Sequence, residues 1–549
     1  MPYTAPPRLT RYKPSRTLPA IRQTATNKDS NMLGLKIPFS LPVWALLLLL
    51  ILLYTLYLAI TRLLLSPIRH IPGPTLAALS FWPEFYHDVI ERGQYFRRID
   101  KMHQKYGTIV RINPFEIHVQ DSSFYPVLYT GPTRRRHKWP WAARMFGNNT
   151  SAFATVRHEH HRLRRSALNP LFSKSAIQRL RPQMQNTLAQ LCSRLDGFTF
   201  TGKDVDLGIA LTAFAADVIT EYCFGQSLGL IGKDDFGKEW IEMVSAPSEL
   251  GHLVKQCPWI LVVCRWAPRA LVRSLVPGVA LLYQIQERMS AQIQPLVDRA
   301  ATTVEDKSAR PLTVFDSLLS STLPQNEKTV NRLKGEGQTL IGAGTLTTGN
   351  ALKTILFHVL DNPNILQKLR AELDGALGNV NILDMSDTTH LERLPYLSAC
   401  IKEGLRMSYG VTHRLQLIAE EPLTCSGVTI PAGTPVGMTS IFMHDNPAVF
   451  PEPREFRPER WLETDLETVQ AMNRHFVPFS KGSRMCLGMN LAYAEIYLVL
   501  AVLFRRYEIL LRGVTREDIE MAHDFFDPVP REGARGLIAR LDKRDLRSE

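Results

Sequence analysis

A cysteine framework is what this 549-residue chain most clearly lacks. Its seven cysteines (Cys192, Cys223, Cys257, Cys264, Cys400, Cys425, Cys486) are odd in number and scattered, which excludes a regular disulfide scaffold and points to a reducing compartment. Internal repeats are missing, and so is any Gly/Ser or charged linker, so one large α-rich domain is expected. The formal charge is +13, yet no stretch interleaves basic and aromatic residues as a strand-binding platform would. Nucleic acid is therefore set aside in favour of a membrane surface or an acidic protein partner.

Charge is absent altogether from Ile37 to Thr61, where Leu41 to Leu58 is a nearly continuous apolar run. At about 1.5 Å per residue this is long enough to cross a hydrocarbon layer of roughly 30 Å. No small-residue cleavage site follows it, so a retained anchor is expected over 37–61. Residues 1–36, rich in Pro, Thr, Arg and Lys and without apolar period, are expected to be a disordered extension. Arg8, Arg11, Lys13, Arg16, Arg22, Lys28 and Lys36 before the span conflict with Arg62 and Arg69 after it over orientation. A start at Met32 would leave Lys36 alone ahead of the span and place the body in the cytosol. A basic, proline-bearing segment, 62–74, carries Ile71-Pro72-Gly73-Pro74 as a stiff hinge, and the main domain is expected over 75–549.

Chemistry concentrates near the C-terminus, in Phe479-Ser480-Lys481-Gly482-Ser483-Arg484-Met485-Cys486-Leu487-Gly488. Gly482 and Gly488 free the backbone to bring a sulfur close to a flat partner, and the helix expected from Leu491 turns its N–H groups toward the thiol, favouring a thiolate. No second cysteine lies near Cys486, which disfavours zinc and iron–sulfur clusters. A haem iron needs one thiolate, and a structural cysteine needs none; the loop alone leaves both open.

Phe479-x-x-Gly482-x-Arg484-x-Cys486-x-Gly488 resembles the haem-binding loop of the cytochrome P450 superfamily. The resemblance implies a mainly α fold with small β-sheets behind one N-terminal transmembrane helix, and haem b on Cys486. Further motifs in family order extend it. His158 to Arg165 resembles the helix whose basic residues reach the haem propionates, giving His161 and Arg165. Ala343-Gly344-Thr345-Leu346-Thr347-Thr348, inside a glycine-rich helical pattern from Thr329 to Asp361, resembles the distal-helix motif, with Thr347 and Thr348 in the proton-handling places. Leu346 stands where the family commonly has an acid, and no carboxylate nearby in sequence replaces it, Glu336 lying about three turns or roughly 16 Å away. Glu403 and Arg406, with Arg460 in Phe456-Arg457-Pro458-Glu459-Arg460-Trp461, match a buried structural cluster. Tyr409 to Leu415 resembles the strand beside the substrate pocket, with Arg414 expected at a propionate.

Elsewhere, Tyr106 to Val119 alternates about a turn at Asn113-Pro114 and predicts a hairpin. Residues 185–319 show helical periods interrupted by the apolar stretch Cys257 to Pro277. The implied activity is a monooxygenase taking dioxygen, a hydrophobic small molecule and electrons from an NADPH–cytochrome P450 reductase, on the endoplasmic reticulum membrane. Two rivals stay in view: a haem-thiolate isomerase or dehydratase, and a non-catalytic haem-binding membrane protein. Asn169 to Ser173, Tyr409-Gly410 and Phe525 to Pro530 look most like filamentous-fungal members that tailor terpenoids, polyketides or alkaloids.

Overall fold

The computed structural model describes residues 42–302, 313–378, 380, 382–384, 389–463 and 465–545. The expected disordered extension and the first residues of the expected span lie outside these. Two units are distinguished, one ending at Tyr57 and one beginning at Leu58. In the first, the helix Val43–Ala59 starts as an unbroken apolar run with no buried side chain. Counting its wider-wound continuation, Val43 to Leu64 spans 22 residues, or about 33 Å at 1.5 Å each. It is long and apolar enough to cross a membrane. The other described helix that passes the same test, Leu207–Phe224, is largely buried and belongs to the core.

The body is built around the helix Val330–Leu360. Its limits follow from local chemistry: the Thr329 hydroxyl accepts a hydrogen bond from Arg332 N at 3.3 Å, and Asn362 caps a new helix at Pro363. Leu207–Phe224 lies along it so closely that a Cβ on Gly349 would come within 2.4 Å of Thr212 Oγ1. That approach explains why a glycine costing roughly 1 kcal/mol of helix propensity stands here. Helices Lys238–Gln256 and Pro277–Thr302 pack on the same side, and Pro395–Met407 and Met489–Arg506 close the other.

Twelve short strands among the described residues form the β part: β1 (Ile109–Arg111), β2 (Ile117–Val119), β3 (Arg136–Lys138), β4 (Val205–Asp206), β5 (Leu417–Ala419), β6 (Leu423–Cys425), β7 (Val428–Ile430), β8 (Pro435–Gly437), β9 (Tyr507–Leu511), β10 (His523–Phe525), β11 (Asp527–Val529) and β12 (Ile538–Lys543). Five make one sheet in the order β1-β2-β8-β5-β3, with β2 and β8 parallel. The order β4-β12-β9 makes a second, and β6-β7 and β10-β11 are hairpins. The predicted hairpin is present as β1 and β2, turned by Asn113, whose Oδ1 accepts from Phe115 N and Glu116 N. Its alternating polar residues do not face solvent, however: Arg111 and His118 are buried, because the proline segment covers one side and the helix Tyr95–Tyr106 another. Within that proline segment Ile68 and Ile71 are buried, and Pro72 O accepts from Arg111 N at 2.8 Å.

The stretch Cys257 to Pro277 folds as two short helices, Trp259–Trp266 and Arg269–Leu275, with Trp259, Val262, Val263, Trp266 and Leu275 exposed.

Candidate active site

The Cys486 loop is held by its own backbone. Cys486 N donates to Phe479 O at 2.9 Å, and Ser483 N donates to Thr130 O at 2.9 Å. Gly482 takes φ +76°, and a Cβ there would lie 2.2 Å from Thr130 O, so both conformation and space demand glycine. Gly488 differs from expectation: its φ is −85°, and an added Cβ would meet no protein atom. Its smallness leaves open space at the cavity wall.

That cavity, of about 310 Å³, is where the sequence candidates converge. Phe479, Arg484, Cys486, Gly488, His161, Arg165, Thr347 and Thr348 all line it. Among the seven cysteines, all free, Cys486 alone is exposed, and its exposure is to this interior space. The expected lowering of the thiol by the following helix is outweighed: burial raises it, while the N–H groups of Gly488 and Met489 and the Arg165 charge oppose. A positive ion opposite the sulfur is what would tip this balance to thiolate.

Around the thiol stands a set of basic groups that form no ion pair among the described residues. Arg484 donates from Nη1 and Nη2 to Thr155 O and Val156 O, both at 2.9 Å, yet its Nε is buried with no partner. His161 Nδ1 is likewise orphaned. Burial, then Arg484, Arg165 and Lys138, hold the His161 imidazole down to about 2. Burial lowers Arg484 to about 10, and burial plus Arg484 pushes Lys138 well below the usual lysine range. So much basicity beside one thiol is a cradle for an anionic occupant. The two carboxylates of haem b fit it. Lys138, with Nζ on Phe153 O at 2.6 Å and over its ring, was not singled out from the sequence. The signal was its place among basic neighbours, which only folding assembles.

Arg414 corrects an expectation. On the extended segment after Pro395–Met407, Val411, His413, Leu415 and Leu417 face the cavity, and Arg414 is out of phase with them. It turns into a buried network instead, donating from Nε to Glu116 Oε1 at 2.8 Å and from Nη2 to Glu84. Burial raises the Glu84 carboxyl, but Arg414 and Lys255 outweigh that and hold it down to about 2. Arg414 is not among the described residues that line the cavity. His413 takes the cavity-facing place, with Nδ1 3.0 Å from Asp524 Oδ2 and Nε2 3.3 Å from Lys255 Nζ. His252, His413 and Asp524 approach as metal ligands might, but they already contact one another directly, His413 Nδ1 at 3.0 Å from Asp524 Oδ2 and His252 Nε2 at 2.5 Å from Asp524 O.

On the long helix, Thr347 Oγ1 donates to Ala343 O at 2.7 Å, and Leu346 lines the cavity where an acid is common in the family. Sequence reading found no substitute carboxylate. Folding brings one: Glu495, on the helix that follows the Cys486 loop, lies beside Thr348. Burial pushes its carboxyl well above the usual range, and Oε1 is buried with no partner.

Glu403, Arg406 and Arg460 meet as a buried cluster away from the cavity. Glu403 accepts from Arg406 Nε (3.0 Å) and Nη2 (2.9 Å), Arg460 Nε (2.9 Å), Trp461 Nε1 (2.8 Å) and Arg457 N (3.0 Å). Arg406 Nη1 reaches His444 O and Arg460 Nη1 reaches Pro451 O, both at 3.0 Å. Every charge is paired, as burial requires.

Comparison with known proteins adds to this geometry. The description "Cytochrome P450" matches residues 72–531. N-acetyltryptophan 6-hydroxylase ivoC of Emericella nidulans is 86% identical over 93% of this chain and 100% of its own length. Tryptophan 6-hydroxylase fscE of Fusarium equiseti is 56% identical over 92% of this chain and 98% of its own. Cytochrome P450 monooxygenase sdnE of Sordaria araneosa is 40% identical over 89% of this chain and 96% of its own.

Proposed function

The chain belongs to the cytochrome P450 family, whose members bind haem b through a cysteine thiolate, and from that premise we propose that it hydroxylates the benzene ring of an indole amino acid, tryptophan or its N-acetyl form. Its monooxygenase class needs no proposal: relatives across the family match are monooxygenases and hydroxylases of filamentous fungi, and readings without dioxygen or without catalysis are not favoured. The substrate is the proposal, and it rests on the 86% identity to an N-acetyltryptophan 6-hydroxylase. Of the three product classes raised by the sequence, an amino-acid-derived indole lies nearest the alkaloids.

Bound haem supplies oxygen activation and insertion, which no amino-acid side chain can supply. One oxygen atom enters the ring and the other leaves as water, with two electrons and two protons consumed. On this reading Cys486 would hold the haem iron through its sulfur. Lys138, His161, Arg165 and Arg484 would hold the propionates, supported by their place at the cavity wall and by the partnerless His161 Nδ1 and Arg484 Nε. Thr347 Oγ1 holds a transferable proton at that wall, and Thr348 is backed by the Glu495 carboxyl, which burial pushes well above the usual carboxylate range. Glu403, Arg406 and Arg460 fix the scaffold. Val43 to Leu64 anchors the chain in the endoplasmic reticulum membrane, leaving the domain from about residue 75 cytosolic, where an NADPH–cytochrome P450 reductase docks on its basic surface.

Reconstitution with reductase, NADPH and either N-acetyltryptophan or tryptophan is expected to give a ring-hydroxylated product, located by mass spectrometry and NMR. NADPH use with neither compound oxygenated would overturn the substrate reading and leave the class untouched.

A further inference from the structure

Glu336 and Asp527 are the acidic residues among those lining the cavity, and they are provided for differently. Glu336 is compensated: its Oε2 lies 2.6 Å from Arg332 Nη1 and accepts from Ala152 N at 3.0 Å. Asp527 has a single hydrogen-bond donor among the described residues, the Ser248 hydroxyl, 3.1 Å from Oδ2. No basic side chain pairs with it, and its charged neighbour is another carboxylate, Asp524. Burial, opposed by Ser248 and helped by Asp524, pushes the Asp527 carboxyl up to about 7.

This placement is built, not incidental. Asp527 opens β11 just after the hairpin tip, where Phe526 is held at φ +75°, a conformation that disfavours a side chain by roughly 1–2 kcal/mol. Hydrogen bonds over-determine that tip: Thr412 N and Oγ1 both donate to Phe526 O, at 2.9 and 3.1 Å, and Phe526 N donates to Asp524 Oδ1 at 3.0 Å. The result presents Phe526 and Asp527 together to the cavity. Phe146 meets the Phe526 ring edge to face at 4.8 Å, and Phe153 does so at 5.7 Å. An aromatic wall thus carries one carboxyl whose lone pairs are mostly unused.

We propose that Asp527 is a substrate-binding residue that accepts a hydrogen bond from an N–H of the indole-bearing substrate, either the ring N–H or the α-nitrogen. A flat apolar ligand entering this space expels water from the carboxyl and leaves it unsatisfied unless the ligand brings a donor. The cavity therefore selects for aromatic compounds with an N–H over equally apolar ones without it. The choice of indole rests on the function proposed above; the need for a donor does not.

The test uses the haem-loaded full chain and three probes, N-acetyltryptophan, its 1-methyl derivative and indole-3-propionate, titrated by the Soret shift. Wild type should bind at least one N–H-deleted probe on the order of 10- to 100-fold more weakly than N-acetyltryptophan, as leaving a buried acceptor unsatisfied predicts. Loss with the 1-methyl probe assigns the ring N–H, and loss with indole-3-propionate assigns the α-nitrogen. Asp527→Ala should bring the three affinities within about threefold of one another, whereas a steric cause would leave the wild-type ratios in place. Asp527→Asn, which keeps the turn and an acceptor, should fall between; it carries the test if the alanine variant fails to take up haem. Unchanged ratios in both variants, or no preference in wild type, would overturn the assignment. Turnover of N-acetyltryptophan with unchanged ratios removes the anchor and spares the reaction; collapsed ratios without turnover do the reverse.

Discussion

Glu327 receives Arg164 at two points, from Nε to Oε2 at 2.7 Å and from Nη2 to Oε1 at 3.2 Å. Arg332 Nε adds a third contact at 2.9 Å, and His160 Nε2 lies 2.6 Å from Oε1. Arg164 shares a helix with His161 and Arg165, and Arg332 opens the long helix that carries Thr347. One buried carboxylate therefore fixes the basic edge of the cavity against the helix that carries Thr347.

Glu327→Gln should destabilise the fold by about 3–5 kcal/mol, because Arg164 stays buried without its counter-charge and Arg332 keeps only Glu336. Burial raises the Glu327 carboxyl, but the three basic partners outweigh this and hold it down to about 2. A depressed folded value adds stability above the unfolded value near 4.5 that is lost as pH falls toward 2. Melting curves of wild type and variant should thus converge between pH 4.5 and 2; parallel curves there would refute the role.

Glu495 has the opposite sign. Its folded value is raised, so the wild type loses stability as pH rises above about 4.5 until the folded value is reached. Glu495→Gln keeps the shape and an acceptor for Thr348 without the titration. The variant should equal wild type at pH 4 and exceed it in urea midpoint at pH 7; a variant weaker at pH 7 would show that the charged form is the native one.

The two loop glycines should separate cleanly. Gly482→Ala forces a Cβ to within 2.2 Å of Thr130 O at positive φ, and apo-protein stability should fall by at least about 1–3 kcal/mol. Gly488→Ala meets open space, and its apo-protein melting temperature should stay within a few degrees of wild type. Equal effects would refute the different roles assigned to them.

Thr347→Val removes the cavity-facing hydroxyl but keeps the side chain's shape. Product formed per NADPH consumed should fall on the order of tenfold or more, with the Soret spectrum of the resting enzyme unchanged. An unaltered product-to-NADPH ratio would move proton handling away from this residue.

Local patterns made the architecture legible before folding. The span from Val43, the hairpin of β1 and β2, and the helix limits at Thr329 and Asn362 all follow from periodicity and capping within a few residues. Spaced motifs made much of the site legible as well: Cys486, Arg484, His161, Arg165, Thr347 and Thr348 line one cavity, and Glu403 meets Arg406 and Arg460. Arg414 went astray because a strand's two faces alternate, and a motif does not say which face its arginine takes.

By itself, then, the sequence determined the apolar span, the first hairpin, the long helix, the cysteine loop and the chain's kinship, since these depend on residues adjacent or regularly spaced. Only the tertiary structure decided which isolated groups meet. It set Lys138 beside Arg484, Glu495 against Thr348, and Asp527 on an aromatic wall with one hydroxyl for company. Each is a single polar side chain far in sequence from its neighbours. Its protonation is set by burial and nearby charge, and neither quantity exists until the chain is packed.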